Sequence, residues 1–142
     1  MKMPKIQKVG TSAFIYKSGK VLLLRRSAKE NPFPSYYELP GGKVEYGEKP
    51  EDGLLREILE ETGLKVRVGL PYGTFSYFWG EIHFIDVQYY CYASDDKVII
   101  SPEHEEYLWA NENDLTSLQI TEQMREAIER GFKLIKLFFI MS

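Results

Sequence analysis

The sequence predicts an α/β fold, a mixed β-sheet with one helix on each face (an α/β/α sandwich), in a single domain over residues 1–142. Three observations predict it. Pro50 to Gly63 has the spacing and end signals of an amphipathic helix. Leu64 to Leu70 alternates strictly between apolar and polar residues, as a half-buried strand does. A second helical pattern closes the chain, with Met124, Ala127, Ile128, Ile135 and Phe138 on one stripe that would cover the opposite sheet face.

Taken in order, residues from about Ile6 to Tyr16 are rich in β-formers and predict a first strand. Lys17-Ser18-Gly19-Lys20 is a turn, and the apolar run Val21–Leu24 predicts a buried strand that completes a hairpin. Asn31 to Ser35, with Pro32 and Pro34, is a loop. Tyr36-Tyr37-Glu38-Leu39 leads into the turn Pro40-Gly41-Gly42, and Val44-Glu45-Tyr46 predicts a small strand. Tyr36 and Tyr37 can stack on a base or pack, packing being the commoner fate. In the helix, Glu51 and Asp52 suit the positive end and Gly63 the stop, while Leu54, Leu55, Ile58 and Leu59 offer the packing surface.

Beyond the helix, Pro71-Tyr72-Gly73 kinks the next strand, which continues through Trp79. Gly80-Glu81 turns into a partner strand from Ile82 to Ala93, on which His83, Asp86 and Gln88 are expected to make one polar face toward a cleft. A loop from Ser101 feeds a short strand ending at Ala110, and Asn111 to Leu115 makes a turn. Thr121 caps the last helix, and Gly131 is expected to kink it or end it early. The greasy end, Phe132 to Met141, is broken by two lysines and reads as a packed helix rather than a membrane tail. No repeat or low-complexity segment is visible.

A net charge of −3 argues against a dedicated binder of nucleic-acid polymer or of a membrane surface, which would carry a basic excess. The chain start shows no signal peptide and no apolar run is long enough to span a membrane. The single cysteine, Cys91, has no internal partner, which fits a buried thiol in a reducing cytoplasm.

The chemistry concentrates in Gly42 to Leu64. Glu57, Glu60 and Glu61 stand at i, i+3 and i+4 and crowd one helical face, where they repel unless a cation sits between them. A hard divalent cation such as Mg²⁺ takes oxygen ligands of this kind. Arg56, four residues before Glu60, can pair with a carboxylate, and Glu48 can join the acidic cluster or brace Arg56.

This stretch, a glycine, five residues, Glu48, seven residues and then Arg56-Glu57-Ile58-Leu59-Glu60-Glu61-Thr62-Gly63-Leu64, resembles the Nudix box at every specified position. The preceding Glu38-Leu39-Pro40-Gly41-Gly42-Lys43-Val44-Glu45 is similar to the segment leading into the box in MutT-like members. The resemblance implies the same sandwich fold and hydrolysis of a nucleoside diphosphate linked to another group. It implies Mg²⁺, with Mn²⁺ as a substitute, held by Glu57, Glu60, Glu61, Glu103 and the Gly41 carbonyl. Glu60, Glu61 and Glu103 form the pool for the general base, with Glu105 and Glu106 as alternatives to Glu103, and Arg56 orients the cluster. Arg26, Glu38 and Lys43 are the implied substrate contacts, and His104 a loop-positioning residue.

The wording of the box segment points to a MutT-like nucleoside triphosphate pyrophosphohydrolase, with an oxidised purine nucleotide as one substrate. An ADP-ribose or dinucleotide pyrophosphatase is the alternative, although ADP-ribose pyrophosphatases commonly carry a proline where this chain has Tyr77-Phe78-Trp79-Gly80. A nucleotide-binding sensor is a third reading, and the intact glutamate set speaks against it. Homodimers occur among relatives, and the sequence identifies no interface.

Overall fold

The computed structural model describes residues 4–141, with side chains as far as Phe138. Strands β1 (Ile6–Lys17) and β2 (Lys20–Arg26) form a hairpin through Ser18 and Gly19, both at positive φ. Their runs Ala13–Ile15 and Val21–Leu24 are wholly buried, because successive strand residues point to opposite faces and both faces are covered. Ala13, Ile15, Leu22 and Leu24 enter one core with Leu54 and Ile58 of helix α1 (Pro50–Thr62). Phe14, Val21 and Leu23 enter the other with Met124, Ile128 and Phe132 of helix α2 (Glu122–Met141). The expected α/β/α sandwich is therefore present, one helix to each face.

The other strands are β3 (Tyr37–Glu38), β4 (Gly41–Lys43), β5 (Val66–Trp79), β6 (Ile82–Ala93) and β7 (His104–Ala110). The order is β3-β2-β1-β6-β5, with β4 added to β1 and β7 to β2. The sheet is mixed: β1 runs parallel to β6 from Ile6↔Ile82 to Ile15↔Cys91, and the other pairs are antiparallel. Gly10, Thr11 and Ser12 thus lie between β4 and Asp86–Gln88 of β6, and this narrow part of β1 becomes the middle of the site.

Several expectations are corrected. The small strand before α1 is Gly41–Lys43 rather than Val44–Tyr46. The two glycines come so close to β1 that a Cβ on Gly41 would stand 2.0 Å from the Thr11 carbonyl oxygen. Leu55 and Leu59 face solvent, and α1 packs through Gly53, Leu54, Ile58 and Thr62 instead. Helix α2 runs through Gly131 without ending. A Cβ there would meet the Phe14 ring at 2.4 Å, so the glycine is what lets helix and sheet close, and the Tyr90 hydroxyl donates to its carbonyl at 2.7 Å. Glu112–Ser117 is a 3-10 helix with a capping box between Asn111 and Asp114, where a turn was expected.

Pro71 does disturb its strand: the β5–β6 register shifts on both sides of it. The Thr121 hydroxyl accepts from the Met124 N–H at 3.4 Å, as a cap does. Cys91 is fully buried, and burial pushes its thiol up to about 12. Of the greasy C-terminal stretch, Phe132 is buried, and the side chains of Phe139, Ile140 and Met141 lie outside the described residues.

Candidate active site

The glycine strand β4 brings α1 to the sheet. A Cβ on Gly42 would stand 2.4 Å from the carboxyl carbon of Glu57, so only glycine leaves room for that carboxylate. One turn further along α1, Glu61 Oε1 accepts from the Gly41 N–H at 2.8 Å. Both carboxylates are drawn out of water, with side-chain exposures of 17% for Glu57 and 5% for Glu61. Burial first, then the nearby Glu38, push the Glu61 carboxyl well above the ordinary carboxylate range. Burial also raises Glu57, against the contact with Arg56.

Arg56 organises the acidic residues at the N-terminal side of this cluster. Its Nε and Nη2 grip the two oxygens of Glu48 at 2.9 and 3.0 Å, and Nη1 donates to Glu57 Oε1 at 3.0 Å. It also donates to the Lys43 carbonyl at 3.3 Å. The Arg56 hydrogen bond holds Glu48 down at about 2.

Across from α1, a register shift at Arg25/Arg26, where β2 meets β7, turns Arg26 and His104 toward the same space. Arg26 Nη1 lies 3.3 Å from both oxygens of Glu38. His104 Nε2 lies 2.9 Å from Glu38 Oε2, within hydrogen-bond distance. His104 Nδ1 is buried without a hydrogen-bond partner, facing Glu61 Oε2 at 3.7 Å. Ligand atoms of Glu38, Glu61 and His104 all lie within 4.8 Å of one another. Glu103, held by a bond from the Ser27 N–H to its carbonyl, lines the same cleft.

The cleft measures about 550 Å³ and has a second, aromatic half. On the cleft face of β5 and β6, Tyr77 stacks on Phe84 with centroids 5.1 Å apart, and Phe75 is the register partner of Asp86. Phe33, from the loop after β2, leans on Tyr77 at 5.9 Å. Asp86 is a carboxylate set among these rings. Its Oδ1 accepts from Ser12 Oγ at 3.0 Å and its Oδ2 from Gln88 Nε2 at 2.6 Å. Burial pushes it up to about 6, with both hydrogen bonds opposing.

Comparison with known proteins agrees with this arrangement. The family model described as "NUDIX domain" matches residues 7–131. The chain belongs to the Nudix hydrolase family. Nucleoside triphosphatase NudI of Escherichia fergusonii is 30% identical over 125 residues, covering 80% of this chain and 89% of that protein. An ADP-ribose pyrophosphatase of Methanocaldococcus jannaschii is 46% identical over 68 residues, which is 48% of this chain and only 39% of the relative. The crystal structure of a MutT protein from Methanosarcina mazei superposes with a TM-score of 0.84 at 30% identity, covering 95% of this chain and 99% of that one. The reaction class is hydrolysis of phosphoric anhydride bonds in nucleoside diphosphate derivatives.

Within the cleft and the Nudix box the structure sorts the predicted residues. Glu57, Glu61, Gly41, Glu38, Arg26, Lys43 and Glu103 all line the cleft. Glu60 does not: its side chain is 58% exposed and sits 3.6 Å from Arg56 Nη1. Residues advance about 100° each around a helix, so Glu57 and Glu61 differ by about 40° while Glu60 lies about 100° from Glu61. Of the glutamates on the β7 approach, Glu105 and Glu106 turn to Arg25, and only Glu103 reaches the cleft. Glu48 braces Arg56 rather than joining the inner carboxylates.

Tyr36 and Tyr37 both line the cleft, and Tyr37 also packs against the α2-side core. Lys43 stands beside Lys8, whose contact lowers its pKa. His83 is not on the polar cleft face: it is one residue out of phase with Asp86 and Gln88, and stacks on Phe78 instead. His104, expected to position a loop, starts β7 and is buried against Glu38, a burial that comes from long-range pairing with β2 that no local spacing announces.

Proposed function

We propose that this Nudix hydrolase cleaves a nucleoside triphosphate to a nucleoside monophosphate and pyrophosphate with the help of Mg²⁺, as MutT-like enzymes do. The observation that carries the reading is one continuous cleft with a carboxylate half and an aromatic half, matching a ligand with a charged chain at one end and a flat ring at the other. Near-whole-length likeness to a nucleoside triphosphatase supports it.

The donor set fits a hard divalent cation. Glu61 lies among Glu38, Glu57 and Glu103 with no guanidinium or ammonium group of the described residues paired to it, and the buried His104 Nδ1, which has no hydrogen-bond partner, faces it at 3.7 Å. Glu57, Glu61, Glu103 and the Gly41 carbonyl would hold the ion, with Glu60 at the rim of the same helix. Bound there, Mg²⁺ supplies charge neutralisation on the phosphates and lowers the pKa of water. The protein's own groups do the rest. The Gly41 N–H fixes the Glu61 carboxylate, and Arg56 fixes Glu57. Arg26 and Lys43 meet the anionic oxygens of the phosphate chain, and Glu61 or Glu103, the two members of the base pool that line the cleft, takes the proton of the attacking water. The rings of Tyr77, Phe84 and Phe33 close around the base.

The test is product identification by mass spectrometry, using purified protein, Mg²⁺ and a panel of ordinary and 8-oxo nucleoside triphosphates, ADP-ribose and a diadenosine polyphosphate. A monophosphate with pyrophosphate from a triphosphate is the expected result. AMP from ADP-ribose as the main reaction would replace the substrate, and tight binding without turnover would make the protein a sensor.

A further inference from the structure

Asp86 has no part in the reaction above, yet it occupies the centre of the cleft's ring-binding half. Residues two apart on a strand share a face, so Phe84, Asp86 and Gln88 of β6 point the same way, opposite Tyr77, Phe75 and Gly73 of β5. A carboxylate has thus been set into an otherwise aromatic floor. Its strand lies across β1 from β4, two strand spacings or about 10 Å between the backbones, and the carboxylate reaches back toward β1: Asp86 Oδ1 and the Gly42 carbonyl would stand 3.4 and 3.2 Å from a Cβ on Gly10. A ligand with its phosphates at the carboxylate half would lay its ring here.

The hydrogen bonds around Asp86 fix what it can offer. An ionised carboxylate has about four lone-pair sites and no proton to give. Ser12 Oγ takes one site on Oδ1 and Gln88 Nε2 one on Oδ2, which leaves each oxygen one acceptor site. Gln88 is itself held in this sense, since its Oε1 accepts from Arg130 Nη1 at 3.4 Å and its amide nitrogen must then face Asp86. Asp86 therefore presents two adjacent acceptors and no donor of its own. Adenine and cytosine pair a donor with an acceptor on their base-pairing edge, and uracil and thymine place one N–H between two carbonyls. Guanine alone places a ring N–H beside an exocyclic amine, two donors in a row.

We propose that Asp86 is the specificity residue for the base, accepting both donors of a guanine-type ring, so that guanine nucleotides are the preferred substrates. This rests on the triphosphate reading above and deepens it. The donor pair is the same in guanine and 8-oxoguanine, so Asp86 selects the base and is indifferent to its oxidation.

The test is kcat/KM of the wild type and Asp86→Asn for dGTP, dITP and dATP, dITP being dGTP without the exocyclic amine. The wild type should prefer dGTP to dITP by about tenfold and to dATP by about 100-fold. In the variant, which offers one acceptor and one donor, the dGTP-to-dITP ratio should fall to within about twofold of unity, mostly through KM. An unchanged ratio in a folded variant overturns the proposal. If the variant does not fold, the wild-type series decides, and a preference for dATP or dITP overturns it. If the wild type hydrolyses none of the three, the proposed reaction has failed instead, and calorimetric binding of dGTP against dITP decides the role of Asp86.

Discussion

Helix α1 serves two acidic clusters one turn apart, and they are built in opposite ways. Around Arg56 the negative charges have an internal partner: Glu48 and Glu57 both hydrogen-bond the guanidinium, and Glu45 and Glu60 lie within 4.0 Å of it. Among the described residues no guanidinium or ammonium group pairs with Glu61 itself. Glu38, Glu57 and Glu103 all push against its carboxylate, and the nearest base, His104, faces it with an unpaired nitrogen. The first cluster is complete as folded and holds the helix in place. The second is crowded and buried at a cost, which the proposed cation would relieve.

Breaking the second cluster should have the largest effect on activity. Glu61→Gln is expected to lower kcat by about 1,000-fold while leaving the Tm unchanged or higher, since it removes an uncompensated buried charge. A parallel loss of Tm would show that Glu61 is a structural residue. Arg56→Ala should do the reverse in kind, lowering the Tm and reducing activity by about 10–100-fold, because it acts through the groups it orients. Arg56→Lys should recover part of both, and a melting curve beside a rate assay separates the two.

Divalent cation sharpens the same contrast. At 100-fold over its Kd a cation stabilises a folded protein by about 2.7 kcal/mol, so Mg²⁺ should raise the Tm of the wild type and of Arg56→Lys but not of Glu61→Gln. Thermal melts with and without a chelator check this. The smallest effect concerns acid. Glu48 is held down at about 2 by Arg56, below the ordinary carboxylate value near 4.5. Its contribution is complete above the unfolded value and disappears as pH falls from about 4.5 to about 2. The Tm difference between the wild type and Glu48→Gln should therefore be constant from pH 7 to 5 and vanish by pH 2. A difference that persisted at pH 2 would mean that Glu48 acts through packing.

The contrast also explains how much could be read beforehand. Helix α1, its glycine stop and the carboxylate spacing are local, and the sequence displays them directly. The two-sided burial of Val21–Leu24 is equally plain in an unbroken apolar run. What stayed hidden depends on contacts between distant segments. The parallel pairing of β1 with β6 sets Asp86 beside Ser12, 74 residues away, and no periodicity reports such a meeting. The place of β4 is decided by how closely glycine backbone can approach β1, whereas β-forming side chains suggested Val44–Tyr46. Glu60 looked equivalent to Glu57 and Glu61 because helical neighbours at i+3 and i+4 share a broad face, yet only the i, i+4 pair turns into the cleft. Gly131 signalled a break when read alone, and the Phe14 ring that it accommodates comes from the other end of the chain.

The most direct test of an acidic site awaiting a cation is calorimetric titration of Mn²⁺ into metal-free protein, with wild type, Arg56→Lys and Glu61→Gln compared in the same buffer. The expected result is saturable binding to the wild type, nearly the same binding to Arg56→Lys, and affinity reduced more than tenfold in Glu61→Gln. Equal Mn²⁺ affinity in the wild type and Glu61→Gln would contradict the account, and would mean that the crowded carboxylates around Glu61 serve the fold rather than a metal.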